Sequence, residues 1–254
     1  MRKNTVKARL MAGEPVVGCF TTIPAPIAVE CAALAGFDFV IIDAEHGTVD
    51  LETMENMLRA AEAFDCVALV RIAVNEPQVI LRYLDAGAMG VQMPQIQSAV
   101  EAKKVVDAVK YRPLGKRGLA AIRAARYGVG VPLARYVQEA NEETLVVVHV
   151  ETPEAVAEVE AMARVPGVDV VFVGPTDLSY SLGYPGDPMR PEVQSVIDQV
   201  FKAVRAAGKI PGIWAGSPEA AHSYISRGAR YIAVTERSLI MPAFQAYVRG
   251  IKGT

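Results

Sequence analysis

The chain is poor in several residues that would announce a chemistry. It has 3 cysteines, Cys19, Cys31 and Cys66, with no CxxC spacing. An odd, scattered set builds no disulfide framework, and buried thiols in a reducing compartment are expected. None lies beside a histidine in a pattern that would make it a nucleophile. Charge of either sign is not in excess: 26 basic against 28 acidic residues leave a formal charge of −2. That balance excludes the basic footprint of a nucleic-acid binder or of a protein drawn to an anionic membrane. No apolar run is long enough to cross a bilayer. The basic opening, MRKNTVKARLMAGEP, lacks the apolar core of a signal peptide, so a soluble, cytoplasmic protein is expected. A glycine-rich first turn is missing too, since the first strand candidate runs into FTTIPAP. This disfavours a doubly wound dinucleotide-binding sheet.

What is present is a rhythm. Hydrophobic residues make up 52% of the chain, enough for a sizeable core. Apolar runs at 16–20, 37–43, 67–72, 90–94, 145–151, 169–175, 210–215 and 231–235 read as strands. Helical patterns lie between them at 28–35, 51–64, 77–86, 99–109, 153–163, 192–207 and 218–227, and a last one reaches to about 251. Eight strand–helix units in one chain predict an α/β fold, a (β/α)8 TIM barrel. No linker or low-complexity segment divides it, so residues 1–254 are expected to form one domain. Residues 111–144 break the rhythm with PLGKRG, Arg123, Arg126 and Tyr127. So long an excursion is read as a lid, a binding loop or a subunit contact, against the alternative of a solvated surface loop.

In such a barrel the C-terminal strand ends share one face, and there the ionisable residues gather. The fifth strand ends in Glu151, and the sixth runs into Gly174-Pro175-Thr176-Asp177. Side chains alternate along a strand, so Leu145, Val147, His149 and Glu151 share one face and Val146, Val148 and Val150 the other. If the valines meet the helices, Glu151 points into the mouth. Two acids on adjacent strand ends suit a hard divalent cation, or they cap the loops that follow. The second strand delivers Asp43, Glu45 and His46, and the third delivers Arg71. His46 is the best-suited proton carrier, with Asp43 placed to orient it, although a loop histidine taken alone is more often structural. Arg71 is either salt-bridged to Asp43 or Glu45, or a clamp for a carboxylate or enolate oxygen. His149, below Glu151, is read foremost as a satisfied core histidine and alternatively as a hydrogen-bond partner of the acid. His222 falls on a helix surface. Every lysine falls in a helix, loop or terminus. Imine chemistry from inside the barrel is therefore disfavoured against metal-assisted enolisation.

DAEHG, the arginine of LVRI, PLGKRG, the acid of HVETPEA, and GPTDLSYSLGYPGDP together resemble the HpcH/HpaI family of class II pyruvate aldolases. That family includes 4-hydroxy-2-oxoheptanedioate and 2-dehydro-3-deoxyglucarate aldolases. The resemblance implies a magnesium or manganese ion, with cobalt or zinc as alternatives, held by Glu151 and Asp177. It implies His46 as the catalytic histidine and Arg71 as the enolate-binding arginine. Asp43 and Asp85 fall on aspartates that support the histidine, Asp85 across a subunit interface. Backbone amides at Gly174–Thr176 would hold the pyruvate carboxylate, since the strand end leads into a helix N-terminus. The implied reaction cleaves 4-hydroxy-2-oxo acids to pyruvate and an aldehyde. The implied assembly is a homo-hexamer, a trimer of dimers, whose C-terminal helices are exchanged between subunits. Related barrels that act on acyl-CoA esters, and a non-catalytic 2-oxo-acid sensor, are the competing readings. This chain departs from the family pattern at His149, where members often carry glutamine. It departs again at Val234-Thr235-Glu236-Arg237, where members usually read VGxD. Arg237 is then either a contact for a distal carboxylate or an interface residue.

Overall fold

The computed structural model describes residues 1–253. Eight parallel strands close into a barrel in sequence order. They are β1 (Val16–Thr21), β2 (Phe39–Asp43), β3 (Val67–Arg71), β4 (Gly90–Met93), β5 (Leu145–Val150), β6 (Val170–Val173), β7 (Ile210–Trp214) and β8 (Tyr231–Thr235). β8 pairs with β1 from Val16↔Tyr231 to Phe20↔Thr235, which closes the ring. The helices are α1 (Thr5–Met11), α2 (Pro26–Leu34), α3 (Leu51–Ala63), α4 (Pro77–Asp85), α5 (Ala99–Val109) and α6 (Leu133–Glu143), followed by α7 (Pro153–Ala157), α8 (Val159–Ala163), α9 (Pro175–Ser181), α10 (Pro191–Ala206), α11 (Pro218–Ser226) and α12 (Glu236–Lys252).

Strand alternation sorts the core into two layers. Val146, Val148 and Val150 of β5 join the shell between strands and helices. Leu145 and Val147 belong to the barrel interior with Phe39, Leu69, Phe172 and Tyr231. The expected polarity of β5 therefore holds. Several helices begin where sequence chemistry places a start. Asp50, Ser98, Thr152 and Ser217 each accept an N–H of the following first turn, while Pro26, Pro77 and Pro191 occupy first-turn positions.

Three α-helices were not read from the sequence. α1 lies under the barrel, where Val6 and Leu10 complete the interior layer. The long excursion contains α6, whose buried residues Tyr136 and Ala140 pack with Tyr111 and Ala125 in a separate small cluster. α9 is a short helix that begins inside the GPTD motif. The expected helix over 153–163 is two pieces joined at Glu158.

The last helix stands apart. Of α12, only Glu236 is buried, while Met241, Phe244, Tyr247 and Ile251 are exposed. At its root an apolar groove is lined by Val17, Phe37, Ile225, Ile232, Val234 and Leu239.

The interior leaves space for its large rings by using glycine. A Cβ on Gly18 would lie 2.1–2.5 Å from the ring of Phe39, which is itself fully buried. Gly18→Ala should therefore destabilise the barrel by about 2–3 kcal/mol or more through overpacking. Urea unfolding should show the midpoint falling while the slope is kept.

Candidate active site

The C-terminal mouth holds a cavity of about 230 Å³. It is lined by His46, Arg71, His149, Glu151 and Asp177, by the turn at Gly174, Pro175 and Thr176, and by Phe20, Phe172, Trp214 and Thr235. A wider groove outside the barrel, near Lys104 and Arg117, gathers no comparable set of acids and proton carriers.

Glu151 is the most constrained group. A chain of donors reaches it from the core. Tyr231 O–H donates to Gln92 Oε1 at 2.8 Å. The Gln92 amide then faces His149 Nε2 at 2.7 Å, and His149 Nδ1 lies 2.6 Å from Glu151 Oε1. With Gln92 Nε2 donating, His149 Nε2 must accept, so Nδ1 carries the proton and donates to the acid. All four side chains are buried. The other oxygen, Oε2, accepts the Gln95 N–H at 3.0 Å. Gln95 delivers it from a left-handed conformation, φ 55°, which is uncommon outside glycine and clusters at functional sites. Burial pushes the Glu151 carboxyl upward, but His149, the Gln95 amide and Arg71 outweigh it and hold the group below its usual range. His149 is thus more than the core histidine that the sequence favoured, because it orients the acid.

Asp177, in the first turn of α9, behaves in the opposite way. Burial and then the nearby Glu151 charge raise its carboxyl above the usual range. The two acids therefore crowd each other electrostatically. Gly174 permits the crowding, since a Cβ there would sit 2.7 Å from Glu151 Oε1. Among the described residues no third acid, histidine or cysteine joins them as a metal cluster. Two carboxylates facing an open cavity fit a hard cation that takes its remaining oxygens from water and substrate. They do not fit an all-protein cage.

Arg71 ends β3 and forms the opposite wall. Its Nε and Nη2 donate to Asp43 Oδ1 and Oδ2 at 2.8 and 2.5 Å, and Nη1 lies 3.3 Å from Glu45. The guanidinium also covers the ring of Phe20 at 4.6 Å. Both salt bridges considered from the sequence are thus present. A guanidinium carries five N–H donors, so this pairing leaves donors for an anion. Asp43 is fully buried. Burial raises its carboxyl, but Arg71 and the Glu45 and His46 amides hold it below the ordinary value. Asp43 accepts the backbone N–H of His46 at 3.2 Å. It therefore supports the DAEH turn and the main chain of the histidine, with its carboxylate on Arg71 rather than on the imidazole. The His46 side chain is 63% exposed, and its Nε2 stands 3.7 Å from Glu45. Burial raises the Glu45 carboxyl, with Arg71 and His46 opposing.

Asp85 is not part of this constellation within the chain. It ends α4, at the far end of the barrel from the mouth, and pairs with Arg117 at 2.8 Å. Arg237 is exposed and does not line the cavity. Gln92, Gln95, Tyr231 and the Phe20–Trp214–Thr235 wall were not singled out from the sequence. For Gln92 the signal was present: it is the one polar side chain of β4.

The family model for HpcH/HpaI aldolase/citrate lyase matches residues 17–240. The chain belongs to that family. It is a carbon–carbon lyase. A 4-hydroxy-2-oxovalerate aldolase of Rhodococcus jostii is 40% identical over 91% of this chain and 89% of its own length. A 4-hydroxy-2-oxo-heptane-1,7-dioate aldolase of Shigella flexneri is 37% identical over 96% of this chain and 91% of its own. Among solved structures, a family member from Burkholderia cenocepacia superposes with a TM-score of 0.92 at 36% identity, covering 98% of this chain and 100% of that one. No helix among the described residues is long and apolar enough to cross a membrane.

Asp43→Asn would leave the partly buried Arg71 guanidinium without its bidentate partner and with Glu45 alone, at a cost of about 3 kcal/mol. Because the folded carboxyl lies below its unfolded value of 3.8, this contribution is complete above that pH and fades only as pH falls through the folded value. Denaturant unfolding of the two proteins should give the same difference at pH 7 as at about pH 5.

Proposed function

We propose that this lyase is a divalent-cation-dependent aldolase, cleaving 4-hydroxy-2-oxo acids to pyruvate and an aldehyde and running the reverse addition. The carrying observation is one cavity with Glu151 and Asp177 on one wall and Arg71 and His46 on another. Glu151 and Asp177 would hold the magnesium or manganese ion. When bound, it would supply Lewis-acid polarisation of the 2-oxo acid.

The protein's own groups account for the remaining steps. The turn Gly174-Pro175-Thr176 opens α9. The N–H groups of Gly174 and Thr176, with Pro175 between them supplying none, stand at a position that favours a carboxylate. The exposed imidazole of His46 takes the proton from the 4-hydroxyl. The C3–C4 bond then breaks, the aldehyde departs, and the electron pair moves into the enolate of pyruvate. The free N–H donors of Arg71 meet the developing oxyanion, and Asp43 and Glu45 keep the guanidinium in place. Protonation at C3 completes pyruvate. The relatives' names point to two classes of aldehyde. Cleavage of 4-hydroxy-2-oxovalerate gives a neutral one, and cleavage of the heptane-1,7-dioate gives one that ends in a carboxylate.

The apolar face of α12 and the groove at its root support exchange of this helix between copies of the chain, in a homo-oligomer such as a hexamer. Asp85 then enters the site only from a neighbouring subunit.

Pyruvate incubated in D2O with the protein and Mg2+ or Mn2+ should lose its methyl proton signal, and EDTA should stop the exchange. With a 4-hydroxy-2-oxo acid, His46→Ala should lower kcat by about 10²–10⁴-fold, and Arg71→Ala by about 10²–10³-fold, with far-UV circular dichroism unchanged. Full activity after exhaustive metal removal would refute the reading.

A further inference from the structure

The ionisable residues of the cavity come from one arc of strands. His46, Arg71, His149, Glu151 and Asp177 belong to the sectors of β2, β3, β5 and β6. The sector of β7, β8 and β1 contributes Trp214, Thr235 and Phe20. These three form a fixed wall. Phe20 is the register partner of Thr235, and Trp214 Nε1–H donates to Thr235 Oγ1 at 3.1 Å. The threonine keeps its own hydroxyl proton to donate.

Behind this wall lies a buried negative charge. Glu236 follows Thr235 and is 7% exposed. Its Oε1 accepts the Thr22 N–H, the Thr22 hydroxyl at 2.8 Å and the Ile23 N–H at 2.7 Å. All three donors are neutral, so the charge that ties the β1–α2 loop to β8 is not cancelled by them. When the 2-oxo acid occupies the Glu151–Asp177 side, the tail of an aldehyde has the aromatic–threonine wall left to it. A carboxylate there would lose water against aromatic faces and lie on the side of Thr235 that Glu236 follows. The one cation at the edge of the wall, Arg71 over the Phe20 ring at 4.6 Å, is already matched by Asp43 and Glu45.

We propose that the Phe20–Thr235–Trp214 wall, backed by Glu236, selects aldehydes with an uncharged tail and rejects those ending in a carboxylate. This rests on the aldolase reading above. It assigns the chain, between the two aldehyde classes, to the neutral one.

The test compares pyruvate addition to pentanal and to 4-oxobutanoate, which are similar in length, by the intact protein with Mg2+. The kcat/KM for pentanal should exceed that for 4-oxobutanoate by about tenfold or more. Glu236→Gln keeps an oxygen for Thr22 and Ile23 but removes the charge, and should shrink that ratio by about threefold or more. Methyl exchange of pyruvate in D2O, measured on the same wild-type sample, separates the two readings. Without exchange, the aldolase reading itself fails. With exchange, a ratio at or below one, or no turnover of pentanal, overturns the selection. An unchanged ratio in a folded Glu236→Gln overturns the role of Glu236. Should that variant not fold, the wild-type ratio decides alone.

Discussion

A carboxylate buried at the end of β5 has to be held ionised and aimed, and the interior of the barrel is arranged to do so. Glu151 receives a proton donor on each oxygen, from His149 and from the Gln95 amide. Behind His149 the chain of donors continues through Gln92 to Tyr231. In a low-dielectric core each of these bonds is costly to leave unmade, so the set is satisfied as a whole or not at all. The tautomer of His149 follows from Gln92, and the orientation of Gln92 follows from Tyr231. Strands β4, β5 and β8 are thereby committed to one another on the polar layer just beneath the mouth.

A second commitment runs across the opposite wall. Arg71 cannot sit at the rim of an apolar barrel without anions, and Asp43 and Glu45 supply them. The same carboxylate of Asp43 accepts the amides of the DAEH turn. The arginine, its acid and the loop carrying His46 are one hydrogen-bonded unit. The salt bridge and the anion clamp, which compete as readings of a lone arginine, are compatible. Pairing uses some of the guanidinium donors, orients the rest, and leaves them facing the cavity. Asp177 provides the contrast. Burial first, and then the like charge of Glu151, raise its carboxyl. That imbalance is what a cation shared with Glu151 would relieve.

Much of this was legible along the chain. The alternation in LVVVHVE placed the valines outward and Glu151 at the mouth, because a strand has a period of two and the barrel has only an inside and an outside. The eight apolar runs gave the topology for the same reason. α6 was harder to see, because LARYVQEANEE buries little beyond Tyr136 and Ala140. α1 was missed because its role is to plug the barrel floor, a contact with residues far along the chain.

The sequence by itself determined the barrel, the face on which the acids, His46 and Arg71 gather, and the family, since these rest on local periodicity and on short motifs at strand ends. Only the tertiary structure decided which groups touch. Asp43 went to Arg71 rather than to the imidazole, His149 went to Glu151, and Glu236 went to the β1–α2 loop. Asp85 was carried to the other end of the barrel by the antiparallel run of α4. Hydrogen bonds between side chains on different strands depend on register and on ring closure, and neither is written in the spacing of residues along one strand.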